Sequence, residues 1–348
     1  MLAKRTLAVL LLLGSPGWLF AQPDYLVVDL HPGGCFEGGY DGEDFSMFDL
    51  AADGWAAGWG YCNDERHELL WSSQAPLADM ETFGFTNTGI SALAGDQQGG
   101  HGIPAGGSDN HALLWSGGPT TVTDLHPEGY DWSYLRAISE TQQAGYAQSA
   151  AADSTHAMLW SGSAETAVDL HPAGYSSSYA YALTSDQQGG AGLAGDGEHH
   201  AVLWSGTPES AIDRHPEGFT DSRVSFLAAT HQAGYGEYAA DGKQHAILWA
   251  GSVASAVDLT PAGFESSWLT GMDGQQLVGT GRCEADGEDH ALLWTAPSGQ
   301  HTDLHPTGLF WSTACDVANG RQVGYGQIAD HTANHTHALL WEGTAESV

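Results

Sequence analysis

One short pattern, His-x-x-Leu-Trp, constrains this chain more than any other feature, because it returns at a nearly constant interval. It reads HELLW at His67–Trp71, HALLW at His111–Trp115, HAMLW at His156–Trp160 and HAVLW at His200–Trp204. HAILW at His245–Trp249 and HALLW at His290–Trp294 and His337–Trp341 complete the series. Successive tryptophans are 44, 45, 44, 45, 45 and 47 residues apart. A second anchor, Asp-Leu-His-Pro, begins at Asp29, Asp124, Asp169 and Asp303, with variants DRHP at Asp213, DLTP at Asp258 and DMET at Asp79. A period of this length marks a supersecondary unit that buries its apolar face only by stacking on its neighbours.

The chemistry between the anchors is that of strands. Gln232–Ala240 (QAGYGEYAA), Asp241-Gly242 and Lys243–Trp249 read as strand, hairpin turn and strand, and Asp-Gly returns at Asp196 and Asp286. Asp-Gly between extended runs predicts a two-residue hairpin. A turn after each Trp leads into a segment such as Ala167–Leu170, and a run such as Ser178–Thr184 begins the next repeat. This predicts four short strands per repeat and an all-β fold. The expected architecture is a seven-bladed β-propeller of four-stranded blades, since radial stacking covers both faces of each sheet. No DLHP segment follows Trp341, whereas Tyr25–Leu30 (YLVVDL) precedes the first repeat. The N-terminal strand Tyr25–Leu30 is therefore expected to complete the last blade, removing open edges.

The HA-[LMVI]-LW anchor, the small turn, the V-D-L strand and the following Gly-Tyr resemble the HAF-repeat extracellular proteins. The likeness extends over residues 22–348, although Leu or Met stands where that family favours Phe, and DLHP replaces Asp-Leu-Gly. It implies a secreted propeller and no particular reaction. WD-repeat proteins share the closure logic and a recurring His and Asp, without the Trp-Asp ending.

Residues 1–21 read as an export signal. Lys4 and Arg5 precede the apolar run Thr6–Leu13, which is too short to span a bilayer, and Ala21 suits cleavage before Gln22. A single domain, residues 22–348, follows, expected outside the cytoplasm or in a periplasm with no membrane span. Charge is lopsided, with 43 acidic against 9 basic residues and a net charge of −34. Such a field repels nucleic acid and acidic glycans and favours cations or neutral ligands. In an oxidising compartment Cys35, Cys62, Cys283 and Cys315 permit two disulfides, with Cys35–Cys62 and Cys283–Cys315 as the expected pairs.

Of the 18 histidines, twelve belong to the anchors. Copies spread one per repeat cannot converge on one ion, so a structural hydrogen bond within each blade is their expected role. His331, His335 and His337 lie together in an insertion and are the weak metal candidates. No nucleophile, zinc-protease, phosphate-loop or EF-hand motif occurs, so no cofactor is expected, and Ca²⁺ has no motif to support it. The loops after DLHP carry aromatics beside carboxylates: Tyr130, Asp131, Trp132, Tyr175, Phe219, Asp221 and Phe264, with Trp268, Trp311, Arg136 and Arg223 nearby. Such groups stack on sugars or cations; wedging against the next blade is the competing use of the Gly-Tyr/Phe position. The functional expectation is a secreted, non-catalytic binding or scaffold propeller offering an acidic, aromatic face to glycans, cations or a protein partner. A carbohydrate-active enzyme with one channel site, and a structural surface or matrix protein, are the alternatives.

Overall fold

In a computed structural model of the chain, residues 9–10, 27–28, 45–50, 55–62, 65–72, 78–80, 84–118, 120–251, 255–328 and 336–347 are described. The remainder of the 1–21 export segment, and of Tyr25–Leu30, lies outside them. Six four-stranded antiparallel sheets follow one another along the chain, each a meander in sequence order. They begin at Phe45, Phe85, Tyr130, Ser177, Phe219 and Phe264, and a three-stranded sheet, Leu309–Ala318, Arg321–Ile328 and Thr336–Trp341, ends the series. The chain divides into two compact units, 1–168 and 169–348.

Each sheet places its anchors in the same register. The His-x-x-Leu-Trp segment is the third strand, and the Asp of the second anchor pairs two residues before the Trp, as Leu113 with Asp124, Ile247 with Asp258 and Leu292 with Asp303. The third strands bury consecutive residues, Ala157 to Trp160 for example, because both faces are covered. The core consequently lies between neighbouring sheets. Trp294 packs with Ala233, Ala246 and Leu248 of the preceding sheet, and Trp341 with Val278 and Leu293. In the first unit, Trp160 packs with Leu114 and Met158. Burying one such side chain is worth about 2–3 kcal/mol.

One expectation changes. The Asp-Gly turns are not two-residue hairpins: Tyr238 pairs with Lys243, leaving residues 239–242 as the loop. Gly242 has φ +68°, while the Asp uses its side chain, Asp241 Oδ1 accepting the Lys243 N–H at 2.9 Å. Asp196 and Asp286 do the same for Glu198 and Glu288, both at 3.1 Å. The Asp is selected as an acceptor, with no need for a left-handed backbone. Val27–Val28, the described part of Tyr25–Leu30, pairs with Val9–Leu10, and among the described residues no fourth strand joins Thr336–Trp341.

Candidate functional site

The two anchors and a serine that follows them build one polar station between consecutive sheets. Asp124 Oδ2 faces Nδ1 of His111 at 2.8 Å, and its Oδ1 accepts the backbone N–H of His126 at 2.9 Å. The buried Ser133 hydroxyl accepts the Ala112 N–H of the preceding sheet at 2.8 Å. The same hydroxyl lies 2.9 Å from Nδ1 of His126, whose Nε2 is 3.1 Å from the Tyr130 carbonyl. A carbonyl can only accept, so His126 carries its proton on Nε2 and takes the Ser133 O–H at Nδ1. His215 with Ser222 repeats this wiring, and His171–Ser178 and His305–Ser312 keep the serine contact. Where the second anchor is DLTP, Thr260 replaces the histidine and its hydroxyl meets Ser267 at 2.7 Å. Ser, His and Asp meet here without the wiring of a hydrolytic triad, because both imidazole nitrogens are committed and the serine is buried.

The histidines of a station stack face to face, His111 on His126 at 3.9 Å and His200 on His215 at 4.1 Å. Burial, and then the neighbouring imidazole's charge, holds His126 and His215 below the ordinary value of 6.5. Burial also pulls His200 down, but hydrogen bonds to and charges of Asp213 and Asp196 outweigh it and raise its pKa. Stability from a raised pKa is complete below 6.5 and is lost as pH rises through the folded value. Stability from a lowered pKa is complete above 6.5 and is lost as pH falls through the folded value. His126 and His215 therefore make acid destabilising. The variant His126→Thr, patterned on Thr260, should show a smaller fall in urea midpoint between pH 7.5 and pH 5 than the parent. An equal fall would mean that His126 is not a source of acid sensitivity.

The residues singled out in the sequence are distributed as follows. Tyr130, Phe219 and Phe264 are half-buried wedges against the inter-sheet core. Tyr175 instead donates its hydroxyl to Asp213 Oδ2 at 3.1 Å, and burial, followed by that carboxylate, raises its pKa. Asp131 and Arg136 are exposed. Trp132 stands edge-on to Tyr134 and Tyr146, and Trp311 edge-on to Tyr325 while donating Nε1–H to Gln327. Trp268 is half-buried two positions further along its strand than Trp132 is along its own. His337 is exposed, and His331 and His335 lie outside the described residues.

Cys283 and Cys315 are both free thiols, which corrects the expected disulfide between them. Cys283 ends its strand opposite Phe264, whereas Cys315 sits at the bulge between Ala314 and Asp316 in the neighbouring sheet. Cys315 lies six residues along from Leu309, which occupies the Phe264 position of its sheet, an offset of roughly 20 Å. A disulfide tolerates about 7 Å between Cα atoms. Burial, and then the charge of Asp316, pushes the Cys315 thiol up to about 11. Cys35 and the Cys62 side chain lie outside the described residues.

A group of polar and aromatic side chains gathers in the second unit, on the fourth and fifth sheets. Asp221 lies 3.4 Å from both Nδ1 of His199 and Nε of Arg223. The Arg223 guanidinium stands 5.6 Å over the Tyr235 ring, a cation–π distance. Tyr179 neighbours His199 at 6.0 Å and stacks parallel to Tyr181. Burial works against the Arg223 charge, but Tyr235, Asp221 and Tyr181 raise its pKa overall. The group offers one fixed cation, one carboxylate, an imidazole and aromatic faces, suited to a ligand bearing backbone amides or a carboxylate. Sequence reasoning singled out Asp221 and Arg223; His199 and the tyrosines come from separate strands and give no local signal.

The fold, though not the site, is matched by solved structures. The β-propeller domain of the Trilobed protease from Pyrococcus furiosus superposes with a TM-score of 0.57 at 9% identity, covering 86% of this chain and 94% of that one. A post-proline cleaving enzyme from Rickettsia typhi gives 0.56 at 8% identity, over 86% of this chain and 51% of that one. Pyrococcus horikoshii acylaminoacyl peptidase gives 0.53 at 11%, over 86% and 51%. The chain therefore has a β-propeller fold and spans about half the length of these two enzymes. No family model and no curated protein matches it. The expectation of a non-catalytic binding or scaffold propeller for glycans, cations or a protein partner is corrected by these likenesses, since the three matches named are a protease's propeller domain, a post-proline cleaving enzyme and an acylaminoacyl peptidase.

Proposed function

We propose that this chain is a peptidase-associated propeller, one component of a machinery that cleaves peptides. The observation that carries the reading is the likeness over 86% of the chain to propellers in a protease, a post-proline cleaving enzyme and an acylaminoacyl peptidase. The group around Arg223 supports it, because a guanidinium and an imidazole beside aromatic faces suit peptide amides and carboxylates. In this reading seven blades form, one for each His-x-x-Leu-Trp strand. Removal of residues 1–21 on export takes away the Val9–Leu10 partner of Val27–Val28 and frees Tyr25–Leu30 for the last sheet.

The test is depletion from the native medium or extract with an antibody against this chain. Hydrolysis of acyl-aminoacyl or post-proline peptide substrates should fall in the supernatant and appear in the immune pellet. Unchanged hydrolysis in the supernatant, with a pellet no more active than that of a control antibody, would overturn the reading.

A further inference from the structure

The sixth sheet differs from its neighbours at one station in a way that changes its chemistry. Three successive sheets place an Asp four residues before the anchor His and direct it at Nε2: Asp196–His200 at 3.1 Å, Asp241–His245 at 3.3 Å and Asp286–His290 at 3.1 Å. In the fifth sheet the strand residue paired with Phe219 is Tyr238, whose ring stacks on His245 at 4.9 Å. In the sixth, the residue paired with Phe264 is Cys283, a free thiol. Donor atoms of Cys283, Asp286 and His290 all lie within 4.8 Å of one another.

We propose that Cys283 Sγ, the Asp286 carboxylate and His290 Nε2 form a binding site for a zinc-class transition-metal ion. Thiolate and imidazole donors favour zinc and its neighbours, whereas calcium takes oxygen ligands. Three protein donors leave the fourth tetrahedral position to solvent or a ligand. Zinc bonds of about 2.0–2.3 Å hold tetrahedral donors roughly 3.3–3.7 Å apart, so binding needs only a side-chain contraction of about 1 Å.

The surroundings suit this role with wiring that other stations share. Nδ1 of His290 meets Asp303 Oδ2 at 2.9 Å, and Asp303 Oδ1 accepts the His305 N–H at 2.9 Å. With Nδ1 held by the Asp303 carboxylate, a metal that displaces the proton Nε2 shares with Asp286 Oδ2 takes the Nε2 lone pair, the outer-sphere arrangement common to histidine ligands. The ligand-bearing turn is closed by Cys283 N–H to Glu288 O and Gly287 N–H to Cys283 O, both 2.9 Å. Asp286 Oδ1 is engaged with the Glu288 N–H, so Oδ2 is the oxygen offered. The nearby Arg282 guanidinium is turned to Asp289 at 3.2 Å and Glu288 at 3.8 Å.

Cobalt(II) titrated into the purified, reduced full chain tests the site, because a thiolate ligand gives a near-ultraviolet charge-transfer band. The band should appear, persist in Cys315→Ser, be lost in Cys283→Ser and disappear when zinc is added. Circular dichroism of Cys283→Ser should match the parent, so that loss reports the ligand and not the fold. No band in the parent chain, or a band that survives Cys283→Ser, would overturn the proposal.

Discussion

Replacing Trp294 by alanine is expected to destabilise the protein by about 3–5 kcal/mol, read as a lowered urea midpoint. The side chain is fully buried between the fifth and sixth sheets, against Ala233, Ala246, Leu248 and Leu277. Small alanines face it, so the surroundings have little with which to refill the space, and the loss combines apolar transfer with a residual cavity. Its Nε1–H also donates to the Leu259 carbonyl at 2.8 Å, as Trp249 does to Arg214 and Trp341 to Leu304. Phenylalanine separates the two contributions. Trp294→Phe keeps most of the packing but strands that carbonyl. The buried Nε1 of Trp204 has no hydrogen-bond partner, so Trp204→Phe strands nothing. Trp294→Phe should cost more than Trp204→Phe by about 1 kcal/mol. Equal costs would show that the indole hydrogen bond contributes nothing to holding neighbouring sheets together.

The repeat made the sheets legible because each tryptophan occupies the same register and the same inter-sheet core. Side-chain wiring across sheets was less legible, for a physical reason. Ser133, Ser178, Ser222, Ser267 and Ser312 recur at fixed distances from the second anchor. Serine is common in turns and strands, however, and only the fold shows that each Oγ reaches a histidine or threonine, and that those of Ser133, Ser222, Ser267 and Ser312 also serve the preceding sheet. The Asp-Gly pairs are complete as turns in the sequence, and only the fold directs the second carboxylate oxygen of Asp286 at His290. Cys283 invited pairing with another cysteine because sequence does not reveal the offset from Cys315 along the strand. Trp132, Trp268 and Trp311 suggested one aromatic face, but Trp268 stands at a different height in its strand. His199, Tyr179 and Tyr235 meet Asp221 and Arg223 only through strand pairing and sheet stacking, which local patterns do not encode.

From the second sheet to the seventh, the second strand carries a glycine whose replacement should be nearly as damaging as loss of the tryptophan. In the fourth sheet this is Gly190, paired with Ala180 just before the register shift between Ala180 and Ala182. A Cβ on Gly190 would overlap the Tyr179 carbonyl oxygen, which is backbone and has no rotamer by which to withdraw. Gly145, Gly234, Gly279 and Gly324 face the carbonyls of Tyr134, Arg223, Trp268 and Thr313 in the same way. Gly190→Ala must therefore push apart a pair of strands whose other faces are already packed, at an expected cost of about 3 kcal/mol. Gly195 is the control, because a Cβ there meets nothing within 4 Å and the residue does not occupy the left-handed region. Gly195→Ala should leave stability unchanged or raise it by about 0.4–1 kcal/mol, through the reduced freedom of the unfolded chain. The two alanines sit five residues apart, one in the strand and one in the turn that follows it, so a shared change in the unfolded state cannot account for opposite signs. If both proved neutral in urea unfolding, the bulged first strand would have to be yielding, and the glycine would not fix how closely these strands approach.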